Sequence, residues 1–248
     1  MKSALRASVL VFFAGCAAPP ASPPASAPDH VDLTWMSVTN MYFELGNLGI
    51  ITDGYVSRVP REIFYGSGGG LGQTRTPVKP DSAAVARMLG ALGGPSKVNV
   101  LLTGHSHFDH SFDTGVWSQL TGARVIGSRT TCYQLFAQTI PRERCMTVNG
   151  GERIALADGV TMWVVRWNHS GDPAVNPEQH NPVELNAIPR LDPATGGLRV
   201  GVAEDFPNGG GNRAYLFVVD GPQGRFSWLF TNSASAVDLA VPIIVDGV

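Results

Sequence analysis

Val98-Asn99-Val100-Leu101-Leu102, followed at once by Thr103-Gly104-His105-Ser106-His107-Phe108-Asp109-His110, is the stretch on which the fold turns. The first five residues form an apolar run of strand length behind Gly93-Gly94-Pro95 and read as a buried strand. The eight that follow hold three of the chain's six histidines and a carboxylate. In an extended loop, side chains two apart point the same way, so His105 and His107 can meet a single ion. Asp109 and His110 sit in the tighter part of the turn and face a neighbouring position. Imidazole and carboxylate at this density, on a loop leaving a strand, are ligands for a first-row metal. A catalytic zinc takes three protein ligands and keeps one place open. His169 is the natural third donor, because it too lies just beyond an apolar strand.

Around this stretch the pattern alternates strands, turns and helices. Strands are predicted at 33–38 and 42–45, and a further strand over 49–54 ends in the turn Asp53-Gly54. The glycine-rich segment 66–72 lacks the Gly-Lys-Ser/Thr ending of a phosphate loop and reads as flexible chain. Asp81-Ser82 can cap a helix at 83–92, with Val85, Met88, Leu89 and Leu92 on one face. Helices at 115–120 and 130–138 flank a short strand at 124–126. Strands at 147–156 and 160–167 pair around Asp158-Gly159, and 214–219 with 226–231 make another hairpin. The segment 172–212 is rich in Pro, Asn and Gly. It is too long for a simple connector, so it reads as a functional loop or an insertion.

The composition sets outer limits. With 248 residues the chain makes one large domain or two small ones, and its net charge of −2, without a Lys/Arg stripe, argues against nucleic acid as a partner. Lys2 and Arg6 precede a short apolar segment at 7–14, too short to span a bilayer. Phe13-Ala14-Gly15-Cys16 resembles the lipobox of bacterial lipoproteins, with Phe13 where Leu is usual. Residues 1–16 therefore read as a lipoprotein-type signal peptide, with lipidated Cys16 as the chain's only membrane attachment. Residues 17–30 form a Pro/Ala/Ser tether and 31–248 the folded domain. The expected place is the bacterial cell envelope, periplasmic or surface-exposed, or outside the cell if Cys16 is unmodified. Export would let Cys132 and Cys145 pair; two buried free thiols are the alternative.

The His-x-His-x-Asp-His loop after a strand, the upstream Asp53-Gly54 turn and the strand-terminal His169 together resemble the metallo-β-lactamase superfamily over residues 31–235. The resemblance implies an α/β fold, a four-layer αβ/βα sandwich with the metal site at one edge of its two sheets. It implies that His105, His107 and His169 bind a first metal and that Asp109 and His110 contribute to a second. Asp53 would support the metal loop by hydrogen bonding. Two features depart from the family. Its bridging aspartate would fall within Thr231-Asn232-Ser233, where no acid stands, and no histidine follows His180 in place of the family's last one. The C-terminal half therefore reads as shortened or divergent.

These residues point to a metal-dependent hydrolase, with one zinc, a second in doubt and iron as the other candidate metal. A metal-activated water would attack a small ester, lactam, lactone or phosphoester, and Asp109 would orient that water or carry its proton to the leaving group. Two other readings fit the ligand count: a mononuclear iron enzyme oxidising sulfur substrates, and a divergent protein that binds a metal or ligand without turnover. His180, in a polar segment, reads as a solvated histidine, and His30 as part of the tether. Trp35, Tyr42, Phe43 and Tyr65 suit a substrate pocket and a packed core equally.

Overall fold

Short runs of β-branched and aromatic residues, broken by glycine turns, build two sheets that bury a shared apolar interface. The computed structural model describes residues 27–60, 62–63, 75–172, 174–175 and 177–233. The signal segment, the tether through residue 26, Tyr65, the segment 66–72 and everything after Ser233 lie outside the described residues. The strands are β1 (Asp32–Trp35), β2 (Met41–Leu45), β3 (Leu48–Thr52), β4 (Pro77–Val78), β5 (Val100–Leu102) and β6 (Arg124–Gly127), then β7 (Cys145–Thr147), β8 (Arg153–Ala157), β9 (Val160–Trp167), β10 (Leu198–Arg199), β11 (Asn212–Gly221) and β12 (Gly224–Phe230). The α-helices are α1 (Ser82–Ala91), α2 (Phe108–Ser111), α3 (Thr114–Thr121), α4 (Arg129–Ala137) and α5 (Pro177–His180).

Sheet one runs β1-β2-β3-β5-β6-β7. It is antiparallel through β3 and parallel from β3 onward. Sheet two is the antiparallel order β12-β11-β9-β8. Their facing sides meet in one core, where Phe43, Ile50, Val100, Leu102 and Ile126 pack against Met162, Val164, Phe217 and Val219. The helices cover the other face of sheet one. Asp81 caps α1 by accepting from Ala83 N and Ala84 N, both at 3.0 Å, and the helix buries Val85 and Leu89 beside Trp117 and Leu135. Full burial on both faces explains why β5 is apolar at every position, whereas β9 alternates.

This is the mixed α/β two-sheet sandwich that the resemblance implies, with three layers seen among the described residues. No helix lies on the outer face of sheet two among the described residues, and Leu229 there is 45% exposed. No helix among the described residues is long and apolar enough to cross a membrane.

Several predicted elements shift. The strand at 33–38 stops at Trp35, because Ser37 and Val38 turn with positive φ. The single strand at 147–156 is two strands in different sheets. Gly150 and Gly151, at φ 121° and 93°, carry the chain from β7 to β8 in a conformation other residues rarely take. Within the segment 172–212, β10 pairs with β4, and Leu198, Val200 and Phe206 pack on Phe108 and Phe112. Ala27 and Val31 pack against the core between the sheets. Cys132 and Cys145 form a disulfide that ties α4 to β7.

Candidate metal centre

Four strand ends converge at one edge of the sandwich. The parallel strands β3 and β5 run out into Asp53 and the histidine loop, while β9 and β12 of sheet two run out into His169 and Asn232. A crevice at the carboxyl ends of strands is where α/β sheets bind ligands. His107 stands just before α2, so the loop turns into helix directly after the His-x-His pair.

Three imidazoles meet here. His105 Nε2 lies 3.0 Å from His107 Nδ1, and the His169 ring centroid is 4.7 Å from that of His105 and 5.1 Å from that of His107. One ring nitrogen from each falls within 4.8 Å of the other two. His105 and His107 are buried and His169 is partly buried. His169 Nδ1 donates to the Ser170 carbonyl at 2.7 Å, which leaves its Nε2 as the ligand atom. Burial, and then the neighbouring histidines, hold the pKa of His105 and His107 well below the usual imidazole value. Burial likewise lowers that of His169. Neutral rings present lone pairs. Tetrahedral zinc with ligands at about 2.0–2.1 Å sets its donors roughly 3.3 Å apart, close to the spacing of the first pair. His107 Nε2 is buried without a hydrogen-bond partner among the described residues. Donor type, convergence and neutral state all fit a metal at this position.

The neighbouring position is built differently. Asp109, His110 and His105 also place one donor each within 4.8 Å. Yet His110 Nδ1 donates to Asp53 Oδ2 at 2.8 Å, and its Nε2 stands 3.1 Å from Ser233 Oγ and 3.7 Å from Asp109 Oδ2. Burial alone would lower the His110 pKa, but the Asp53 and Asp109 charges and the Asp53 hydrogen bond outweigh it and raise it to about 9. Its Nδ1 is thus engaged by a buried carboxylate, which favours the charged ring. The Asp109 side chain is 41% exposed. Asn232, where an acid was missed in the sequence, donates to Asp53 Oδ2 and accepts from His105 Nδ1 at 3.2 Å.

Asp53 supports the loop as expected. Its Oδ1 accepts from Gly104 N at 3.0 Å, and its Oδ2 also accepts from Thr39 Oγ1 at 2.8 Å. Other supports have no sequence signature. Gln134, buried on α4, accepts from Ser111 Oγ at 2.8 Å and donates to the carbonyls of Ser106 at 3.0 Å and Asp205 at 2.9 Å. It therefore joins the histidine loop, α2 and the insertion. Asp113 accepts from Val56 N and Ser57 N at 2.6 and 2.7 Å, which fixes the chain leaving Asp53-Gly54. Tyr215 of sheet two donates to the Thr103 carbonyl at 2.7 Å.

One reading of a single residue needs correction, and the open choice for the described aromatic residues is resolved. His180 is not a solvated loop histidine: α5 sets its ring 5.5 Å from that of His169, and its Nε2 is buried. Tyr42 and Phe43 belong to the core, whereas Trp35 is 66% exposed on the edge strand β1. His30 is exposed beside Asp29.

No family model matches the chain. Over 142 residues it is 24% identical to a protein named UPF0173 metal-dependent hydrolase from Pyrobaculum islandicum, covering 57% of this chain and 52% of that one. The chain thus spans about half the length of the curated relatives it matches. Among solved structures, Igni18, described as a metallo hydrolase from Ignicoccus hospitalis, aligns over 57% of this chain and 50% of its own, at 18% identity and a TM-score of 0.36. A metallo-β-lactamase from Cronobacter sakazakii aligns over 76% of this chain and 54% of its own, at 13% identity and a TM-score of 0.40. The sequence is therefore similar to proteins named metal-dependent hydrolases.

Proposed function

We propose that the chain is a metal-dependent hydrolase that holds one ion, zinc, on His105, His107 and His169. The observation that carries this reading is the convergence of three neutral imidazoles on one point at the sheet edge. A divalent ion held there would supply a water nucleophile at neutral pH and polarise the scissile oxygen of a small ester, lactam, lactone or phosphoester. The chain's own residues provide the rest. Asp109, with its side chain 41% exposed beside this position, would orient that water or carry its proton to the leaving group. Asp53 and Gln134 keep the loop from shifting as charge develops.

The second position lacks an anionic bridge, so we assign it no resident ion. The Cys132–Cys145 disulfide supports export to an oxidising compartment, in keeping with attachment through lipidated Cys16. Metal analysis of protein purified without added metal, together with assays on chromogenic esters, lactams and phosphodiesters, tests the reading. One zinc per chain and turnover that a chelator abolishes is the expected result. A folded sample without metal affinity would overturn it, and bound iron with sulfur oxidation would move the chain to another class. Loss of membrane labelling in Cys16→Ser tests the anchor separately.

A further inference from the structure

We infer that Asn232 is a positioning residue that fixes the tautomer of His105 and aims its Nε2 at the metal position; the inference rests on the metal reading above. Asp53 can only accept hydrogen bonds when ionised, and its oxygens already receive Gly104 N, Thr39 Oγ1 and His110 Nδ1. The end of the Asn232 side chain that faces Asp53 Oδ2 is therefore its NH2 group. The opposite end is then the carbonyl Oδ1, which stands 3.2 Å from His105 Nδ1. A carbonyl oxygen offers no proton, so His105 Nδ1 carries the hydrogen and donates it. The His105 lone pair is left on Nε2, the atom 3.0 Å from His107 Nδ1.

The chain of donors thus runs from His105 through the amide to one buried carboxylate. A metal-binding histidine commonly gives its other N–H to a carboxylate directly; here an amide relays the same constraint. Only an amide serves both ends. An aspartate at 232 would accept from His105 but would set a second carboxylate against Asp53. The backbone is fitted to this contact. Asn232 adopts φ 56°, a left-handed conformation that asparagine tolerates better than most residues. Gly104 packs directly beneath it: a methyl group there would lie 2.0 Å from Asn232 Cγ.

The test uses the whole chain, with and without zinc. Two-dimensional NMR of 15N-labelled imidazoles reads the tautomer of His105, and competition with a chromophoric chelator reads zinc affinity. The expected wild-type result is an Nδ1–H tautomer for His105 even before zinc is added. In Asn232→Gly, which keeps the left-handed backbone but removes the amide, the tautomer becomes mixed. Zinc affinity then falls about 10–100-fold, the range seen when outer partners of ligating histidines are removed. Gly104→Ala, which displaces the amide without deleting it, gives the same two changes. An Nε2–H tautomer in the wild-type chain overturns the inference, and so does unchanged affinity in Asn232→Gly alongside tight wild-type binding. Failure of the wild-type chain to bind zinc would overturn the metal reading as well, so the two failures differ.

Discussion

His107 and His110 stand three residues apart, at 4% and 2% exposure, and differ in the bonds they make. His107 turns Nδ1 toward His105 and His169 and leaves Nε2 without a partner among the described residues. His110 commits Nδ1 to Asp53 and places Nε2 beside Ser233 and Asp109. Burial favours the neutral ring in both. At His107 the neighbours are other imidazoles, and nothing opposes that preference. At His110 a buried carboxylate reverses it. The same residue type thus offers free lone pairs where its neighbours are imidazoles and is drawn toward the charged form where an acid claims it.

The largest expected break in this contrast comes from His107→Ala, which should lower zinc affinity by more than the roughly 100-fold ascribed to outer partners. His110→Ala should leave the first site occupied. Equal losses in the two variants, measured by chelator competition, would erase the distinction. Next in size is Asp53→Ala. It removes the acceptor that His110, Asn232 and Gly104 share and strands a buried imidazolium, so urea denaturation should show a loss of about 3–5 kcal/mol. Cys145→Ser removes the α4–β7 tie. It should cost about 2–4 kcal/mol in the same assay while zinc affinity holds, because the bridge lies on the helical side of sheet one. The smallest effect belongs to His180→Ala. Its ring contact with His169 is of a kind worth about 0.5–1.5 kcal/mol, so affinity should change by about tenfold at most, with stoichiometry unchanged.

How much was legible in the sequence follows the range of the forces involved. The strand at 98–102, the Asp53-Gly54 turn and the two-residue spacing of His105 and His107 are local patterns, and they sufficed to place the ligand loop. His169 could be read because it ends a strand whose core-facing residues alternate. Gly150-Gly151 misled because a strand leaving one sheet and entering another has the same local pattern as one continuous strand. His180 misled because its segment has no periodicity of its own; the chain just after it is held by Glu184, which accepts from Thr130 N and Thr130 Oγ1 on α4. Gln134 and Asp113 were invisible, since their partners lie on other elements and nothing in a helical Gln or a turn Asp announces them. Asn232 was noticed only as a missing acid. Its positive role emerged once Asp53 and His105 were seen on either side of it.

Zinc K-edge X-ray absorption on the full chain, loaded with a slight deficit of metal, tests the central claim most directly. The account predicts one zinc site with three imidazole ligands and one further light-atom ligand at about 2.0–2.1 Å. A site with fewer than two imidazoles, or a short zinc–zinc vector already present at this loading, would contradict it.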